Sequence, residues 1–229
     1  MDYVYVCRSG ENEELRYSLR ALEKNAPEGR VWVVGGKPDW YIGDYLPVKQ
    51  GSSKQENVKR NWIAVTSSPK ISNSFVMMND DFFIVESIDS IPVLNGGTLR
   101  NKVLQYKSIA PASKYTRILH DTYIKLKRLG YKEPLDYELH VPMQMSKKSI
   151  ESAYRSGILM IRSAHGNFNN LGGELISDVK IYEEKTFEVK SFDYKSNRSA
   201  FLSSNDNTFD VLGKDILFDM FPDKSSYEK

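Results

Sequence analysis

The first thirty-six residues admit few folds. Residues 2–7 (DYVYVC) form a short β-branched and aromatic run, which predicts a strand. The polar turn Arg8-Ser9-Gly10 follows, and then Glu11, Glu13 and Glu14, where the positive end of a helix favours carboxylates. Leu15, Leu19, Leu22 and Ala26 recur at helical spacing, and Pro27 with Gly29 ends the segment. Residues 30–34 (RVWVV) predict a second apolar strand, stopped by Gly35-Gly36. A strand–turn–helix–strand opening is the mark of a Rossmann-like α/β fold, with a mostly parallel sheet flanked by helices.

The pattern continues. Residues 45–48 predict a weaker third strand. Ser53-Lys54-Gln55-Glu56 matches a capping box, with Val58, Trp62 and Val65 as the helical face behind it. Residues 75–78 (FVMM) predict a buried strand that runs into Asn79-Asp80-Asp81, and 82–85 (FFIV) is apolar again. Ser113 predicts the cap of a long helix whose face is Tyr115, Ile118, Leu119, Thr122, Leu126 and Leu129. Lys125, Lys127 and Arg128 fall in its last turn, with Gly130 after it. A shorter helix is expected over 146–155, closed by Gly157. Late strands are expected at 187–189 and 200–202, a closing helix at 211–221, and a fraying end at 225–229. There are no internal repeats.

Length and charge narrow the function classes. The 229 residues fit one domain able to bury a real core. A net charge of +2 gives no strong footprint for nucleic acid or an anionic membrane. Cys7 is the one cysteine, so an internal disulfide is excluded and a reducing compartment is expected. The opening MDYVYVCRSG has no basic stretch followed by an apolar run, and no apolar run approaches the roughly 20 residues of a membrane span. A cytoplasmic protein without a membrane span is the expectation.

Asn79-Asp80-Asp81 is the strongest chemical feature. Adjacent carboxylates at a strand end repel unless a cation neutralises them. Magnesium takes one or two carboxylates together with substrate phosphates. The carboxyl edge of a parallel sheet is also where ligands bind. An arbitrary Asp-Asp pair is more often a cap or a solvated turn, but the flanking FVMM and FFIV shift the balance here. His140, ahead of Val141-Pro142, is a candidate acid or base, against the commoner structural histidine. His120 and His165 take that structural reading. Arg162, after an apolar run, is a candidate phosphate clamp, against an ordinary ion pair. Ser203-Ser204-Asn205-Asp206-Asn207 is a turn-forming cluster unless it returns to the site as an oxygen ligand. Gly35-Gly36 is too short for a phosphate loop, and Cys7 reads as core.

Several segments together resemble the Stealth family of sugar-1-phosphate transferases. Residues 14–20 (ELRYSLR), 23–27 (EKNAP) and 31–34 are similar to one family motif, and 75–83 (FVMMNDDFF) to the next. The stretch from Thr122 through Leu129-Gly130 to His140-Val141-Pro142 resembles a third. Residues 201–207 (FLSSNDN), Phe221-Pro222 and 225–228 (SSYE) resemble the family's end. The opening 3–10 (YVYVCRSG) is a drifted first motif, with Cys7-Arg8-Ser9 where tryptophan and an acid are usual.

The resemblance implies a glycosyltransferase-A-like fold and a nucleotide-diphosphate-sugar donor such as a UDP-sugar. It also implies Mg2+ or Mn2+, and transfer of sugar-1-phosphate to the hydroxyl of a saccharide or other acceptor. Asp80, Asp81 and Asp206 would be the metal acids, and His140, Arg162 and Asp81 the catalytic group. Arg8, Gly10, Arg16, Asn57 and Asn79 would face the substrate. Residues 1–110 would be the nucleotide-sugar and metal half of one catalytic domain, and 111–229 the acceptor and catalytic half. Transfer of the sugar itself, to a saccharide or to a modified nucleic-acid base, is the alternative, with a nucleic-acid acceptor possible but not indicated. An inactive nucleotide-sugar-binding module is the other.

Overall fold

The computed structural model describes residues 1–181, 199–210 and 214–229. The chain forms two compact units, and the second lies in sequence within the first. Unit one comprises 1–91, 140–142 and 179–229, and unit two comprises 92–139 and 143–178.

Unit one opens with β1 (Asp2–Cys7), α1 (Glu13–Asn25), β2 (Arg30–Gly35), β3 (Asp44–Pro47), α2 (Lys54–Ser67), β4 (Ser74–Met78) and β5 (Phe82–Ile84). Its first four strands lie in the order β3-β2-β1-β4, and every pairing is parallel. In that register Tyr3 stands beside both Val31 and Val76. The inner strands are buried on both faces, so they read as unbroken apolar runs rather than alternating ones. Helix α1 starts where Asn12 accepts the Leu15 N–H at 3.0 Å. It buries Leu15, Leu19 and Leu22, and the Ser18 hydroxyl lies 3.0 Å from the Tyr5 hydroxyl on β1. Gly35-Gly36 is a tight turn: Gly35 has φ +108°, and a Cβ on Gly36 would lie 2.3 Å from the Ser9 nitrogen. Helix α2 is capped by Ser53 and buries Trp62 and Val65, but Val58 is exposed, contrary to expectation. Trp62 stacks on Phe75 of β4 at 6.0 Å.

Unit two contains β6 (Leu94–Asn95), α3 (Leu99–Ile109), α4 (Lys114–Arg128), β7 (Met143–Ser146), α5 (Lys147–Arg155), α6 (Ile161–Phe168) and β8 (Glu174–Leu175). Helix α4 begins at the Ser113 cap and ends before Gly130 at φ +98°, as the sequence indicates. Its buried face is Thr116, Leu119, Thr122 and Leu126. Tyr115 and Leu129 turn outward, and Tyr115 packs on Tyr106 of α3 at 4.8 Å. The apolar stripe is thus rotated from the expected one. Helices α3 and α6 are additions. Helix α3 buries just Leu99 and Val103, and α6 has no side-chain cap and carries a glycine.

His165 on α6 is buried, and burial lowers its pKa to about 4, with the charge of Arg162 lowering it further against one raising backbone hydrogen bond at Gln144. A neutral buried histidine binds fewer protons folded than unfolded between about pH 4 and 6.5, so stability is full above that window and falls with pH through it. We expect acidification across this range to cost ~3 kcal/mol. His165→Gln should flatten that part of the stability–pH curve, as measured by urea titrations at several pH values.

The chain then returns to unit one with β9 (Lys180–Ile181), β10 (Phe201–Ser204), α7 (Asp206–Thr208) and α8 (Lys214–Met220). Strand β10 pairs antiparallel with β5 and parallel with β9. A second core gathers Tyr17, Phe83, Phe209, Leu217 and Phe221 beneath them. The strand expected at 187–189 lies outside the described residues, as does the start of the helix expected from 211. The end at 225–229 does not fray. Tyr227 stacks on Tyr41 at 6.4 Å, and the fully buried Glu228 carboxylate receives Arg16 at 2.7 Å and Arg20 at 2.8 Å. Among the described residues, no helix is long and apolar enough to cross a membrane.

Candidate active site

Strands β1 and β4 are parallel neighbours, so Cys7-Arg8 and Met78-Asn79 leave the sheet at the same carboxyl edge. The Asn79 carbonyl accepts the Phe82 N–H at 3.2 Å, closing a turn that presents Asp80 and Asp81. Asp80 accepts from Asn12 Nδ2 at 2.7 Å. Asp81 accepts from Lys180 Nζ at 2.7 Å and from the buried Ser203 hydroxyl at 3.1 Å. A lysine and a serine from β9 and β10 thus hold one carboxylate, and the cap of α1 holds the other.

The electrostatics are those of an acid excess. Burial, and then Asp81, raises Asp80 above the usual carboxylate range, with Asn12 and Arg8 pulling back. Glu14, on the first turn of α1, is pushed up to about 8 by burial and then by Asp80, Asp206 and Asp81. Its carboxyl is mainly protonated at neutral pH, and its Oε1 is buried without a hydrogen-bond partner among the described residues. Arg8 lies 3.6 Å from Asp206, but both side chains are largely exposed, so that pair contributes little. Burial, with Asp80 next, holds the Cys7 thiol protonated, which agrees with its reading as core.

Each of the other expected site residues has its own local setting. His140 is half-buried in unit one, with its ring edge-on to Phe82 at 6.2 Å, one residue from Asp81 in sequence. Arg16 is committed to Glu13 and Glu228 and lies 4.4 Å over the Trp40 ring, which gives it a structural role. Asn57 fastens Gly51 through both backbone groups, at 2.7 and 2.8 Å. Gly10 has φ +103° and open space around it. Arg162 belongs to unit two, where its buried Nε donates to the Tyr137 carbonyl at 2.8 Å and its charge draws Glu138 down against burial. Sequence reasoning missed Asn12 and Lys180, and it read Glu14 as a first-turn acid and Ser203 as part of a turn-forming cluster that here does return to the site. Of the two missed residues, Asn12 carried a local signal, as a cap-type residue directly before Glu13-Glu14.

Among the described residues, no three His, Cys, Asp or Glu side chains converge as a ready chelate, so Asp206 does not join Asp80 and Asp81 in one. The donor set still suits a hard cation. It is all oxygen, it is short of positive charge, and it includes the unpartnered Glu14 Oε1. One or two carboxylates suffice for magnesium when phosphates complete the shell.

No protein-family model and no curated protein matches this chain. Among solved structures it is similar to an active-site mutant of LgtC, at 10% identity over 99% of this chain and 97% of that one, with a TM-score of 0.47. It is also similar to mouse xyloside xylosyltransferase 1 in its apo form, at 7% identity over 100% and 96%, with a TM-score of 0.35. At these values neither likeness carries weight for the chemistry, which has to come from this chain's own residues.

Proposed function

We propose that the chain is a transferase that uses a nucleotide-diphosphate-sugar donor, of the UDP-sugar kind, at the carboxyl edge of β1 and β4. The observation that carries this reading is the half-buried acid pair Asp80–Asp81 beside the uncharged Glu14, a cluster whose repulsion a cation relieves. Asp80 and Asp81 would hold Mg2+ or Mn2+, which when bound would offset the charge of the donor pyrophosphate. Arg8, exposed at the same edge, would meet phosphate oxygens in exchange for its weak pair with Asp206. Lys180 and Ser203 would fix the Asp81 carboxylate in place. His140 would take the proton of an acceptor hydroxyl as its oxygen attacks the phosphorus bearing the sugar. The bond from that phosphorus to the nucleoside monophosphate breaks, and the monophosphate leaves.

The test is product analysis after incubation with UDP-sugars and Mn2+. We expect slow donor hydrolysis that releases UMP and stops on chelation. Release of UDP would put the cleavage at the glycosidic bond, overturning phosphotransfer while keeping the donor class. No turnover of any donor, with or without an acceptor, would overturn the enzyme reading.

A further inference from the structure

Unit two contains a hollow of about 410 Å³ built wholly from its own residues. Such a volume falls in the range of small-ligand sites, roughly 300–1,000 Å³. One wall is aromatic: the Tyr131 and Phe168 rings lie 6.1 Å apart, tilted by 37°. Hydroxyls also line it, from Ser146 at the cap of α5 and from Ser149 and Ser152 on α5, together with the Asn169 amide. Ser149 is already held by the Ser146 hydroxyl at 2.9 Å and by Asn169 Nδ2 at 3.1 Å, so this polar side is ordered in advance. Among the described lining residues the one charged group is Lys148, and it is exposed.

We propose that this hollow binds a saccharide, with one pyranose ring against Tyr131 and Phe168. A sugar presents a C–H face that packs on aromatic rings and an edge of hydroxyls that both donate and accept. Serine hydroxyls and an asparagine amide do both as well. A phosphate or carboxylate ligand would call for clustered cations, which this lining lacks. The proposal does not rest on the transferase reading, because the hollow is built without Asp80, Asp81 or His140.

The test is amide NMR on the full chain, titrated with methyl glycosides and disaccharides of glucose, galactose, mannose and N-acetylglucosamine. UMP serves as the contrasting ligand. We expect at least one sugar to give saturable shifts at Ser149, Ser152, Phe168 and Asn169, with no such shifts from UMP. Ser152→Trp, which fills the hollow, should weaken that sugar at least ~tenfold. Ser156→Trp, at the exposed rim, should do the same and covers the case in which the first variant fails to fold. Shifts with no sugar, shifts at these residues with UMP, or unchanged affinity in a folded tryptophan variant would each overturn the proposal. None of these readouts uses donor, metal or turnover, so failure here is separable from failure of the proposed reaction.

Discussion

Asp80→Asn is expected to reduce turnover at least ~100-fold, the scale of removing one preorganised electrostatic contact from an active site. Its melting temperature should stay at or above that of the parent. The two effects have one cause. Asp80 is held partly buried beside Asp81 and near Glu14 at a cost to the fold, because each carboxylate raises the other's energy. Asparagine keeps the shape and can still pair with Asn12 at the position now 2.7 Å away, while it removes the charge. A residue retained for packing would behave in the opposite way, with lower stability and undiminished activity. Paired thermal melts and initial rates on the two proteins separate these outcomes. Loss of stability in parallel with activity would mean that Asp80 is a structural acid.

Glu228→Ala is expected to be strongly destabilising, at about 3–5 kcal/mol, the usual cost of breaking a buried charge pair from one side. The carboxylate is fully buried, and it accepts from Arg16, Arg20 and the backbone and hydroxyl of Ser225. Burial alone would raise its pKa, but these bonds overcome burial and hold it at about 2. Removing it leaves two mostly buried guanidiniums without their acid and cuts the ion pairs between the end of the chain and α1. For a chain of this size the loss corresponds to a fall in melting temperature of roughly 10 °C. The pH dependence has a definite sign. Because the folded pKa is depressed below the unfolded value of about 4.5, this stabilisation is present above that value and is lost as pH falls toward 2. Thermal melts of Glu228→Ala and Glu228→Gln check this directly. A change below about 1 kcal/mol would mean that the end of the chain contributes nothing cooperative.

The fold was legible where local signals agreed with long-range need. DYVYVC, the α1 stripe and RVWVV specify a parallel crossover because inner strands of such a sheet must be apolar throughout. Ser53 and Ser113 were found as caps because capping is local. Helix α3 escaped because it shows water most of its surface, and α6 because it is buried nearly all round and has neither a cap nor a periodic stripe. The site divides in the same way. Asn79-Asp80-Asp81 stood out between two apolar strands. Lys180 and Ser203, which hold Asp81, lie 99 and 122 residues away in sequence, and no local pattern links them. Glu14 was visible as a first-turn acid, but its raised pKa comes from burial and from Asp80, Asp206 and Asp81, which lie far away in sequence. Arg16 and Asn57 carried polar signals that look the same whether the partner is a ligand or the chain itself, and here the partners are Glu228 and Gly51. The end at 225–229 looked loose for the same reason, since Glu228 alone does not announce Arg16 and Arg20.

The most direct measurement is a thermal-shift titration of a panel of nucleoside-diphosphate sugars, with and without Mn2+, on the parent chain and on Asp80→Asn. Ligand that binds the folded state alone raises the melting temperature by mass action. A shift with one donor that requires Mn2+ and vanishes in Asp80→Asn is the expected result. A donor shift that ignores the metal and persists in the variant would contradict an acid-held cation site at the edge of β1 and β4.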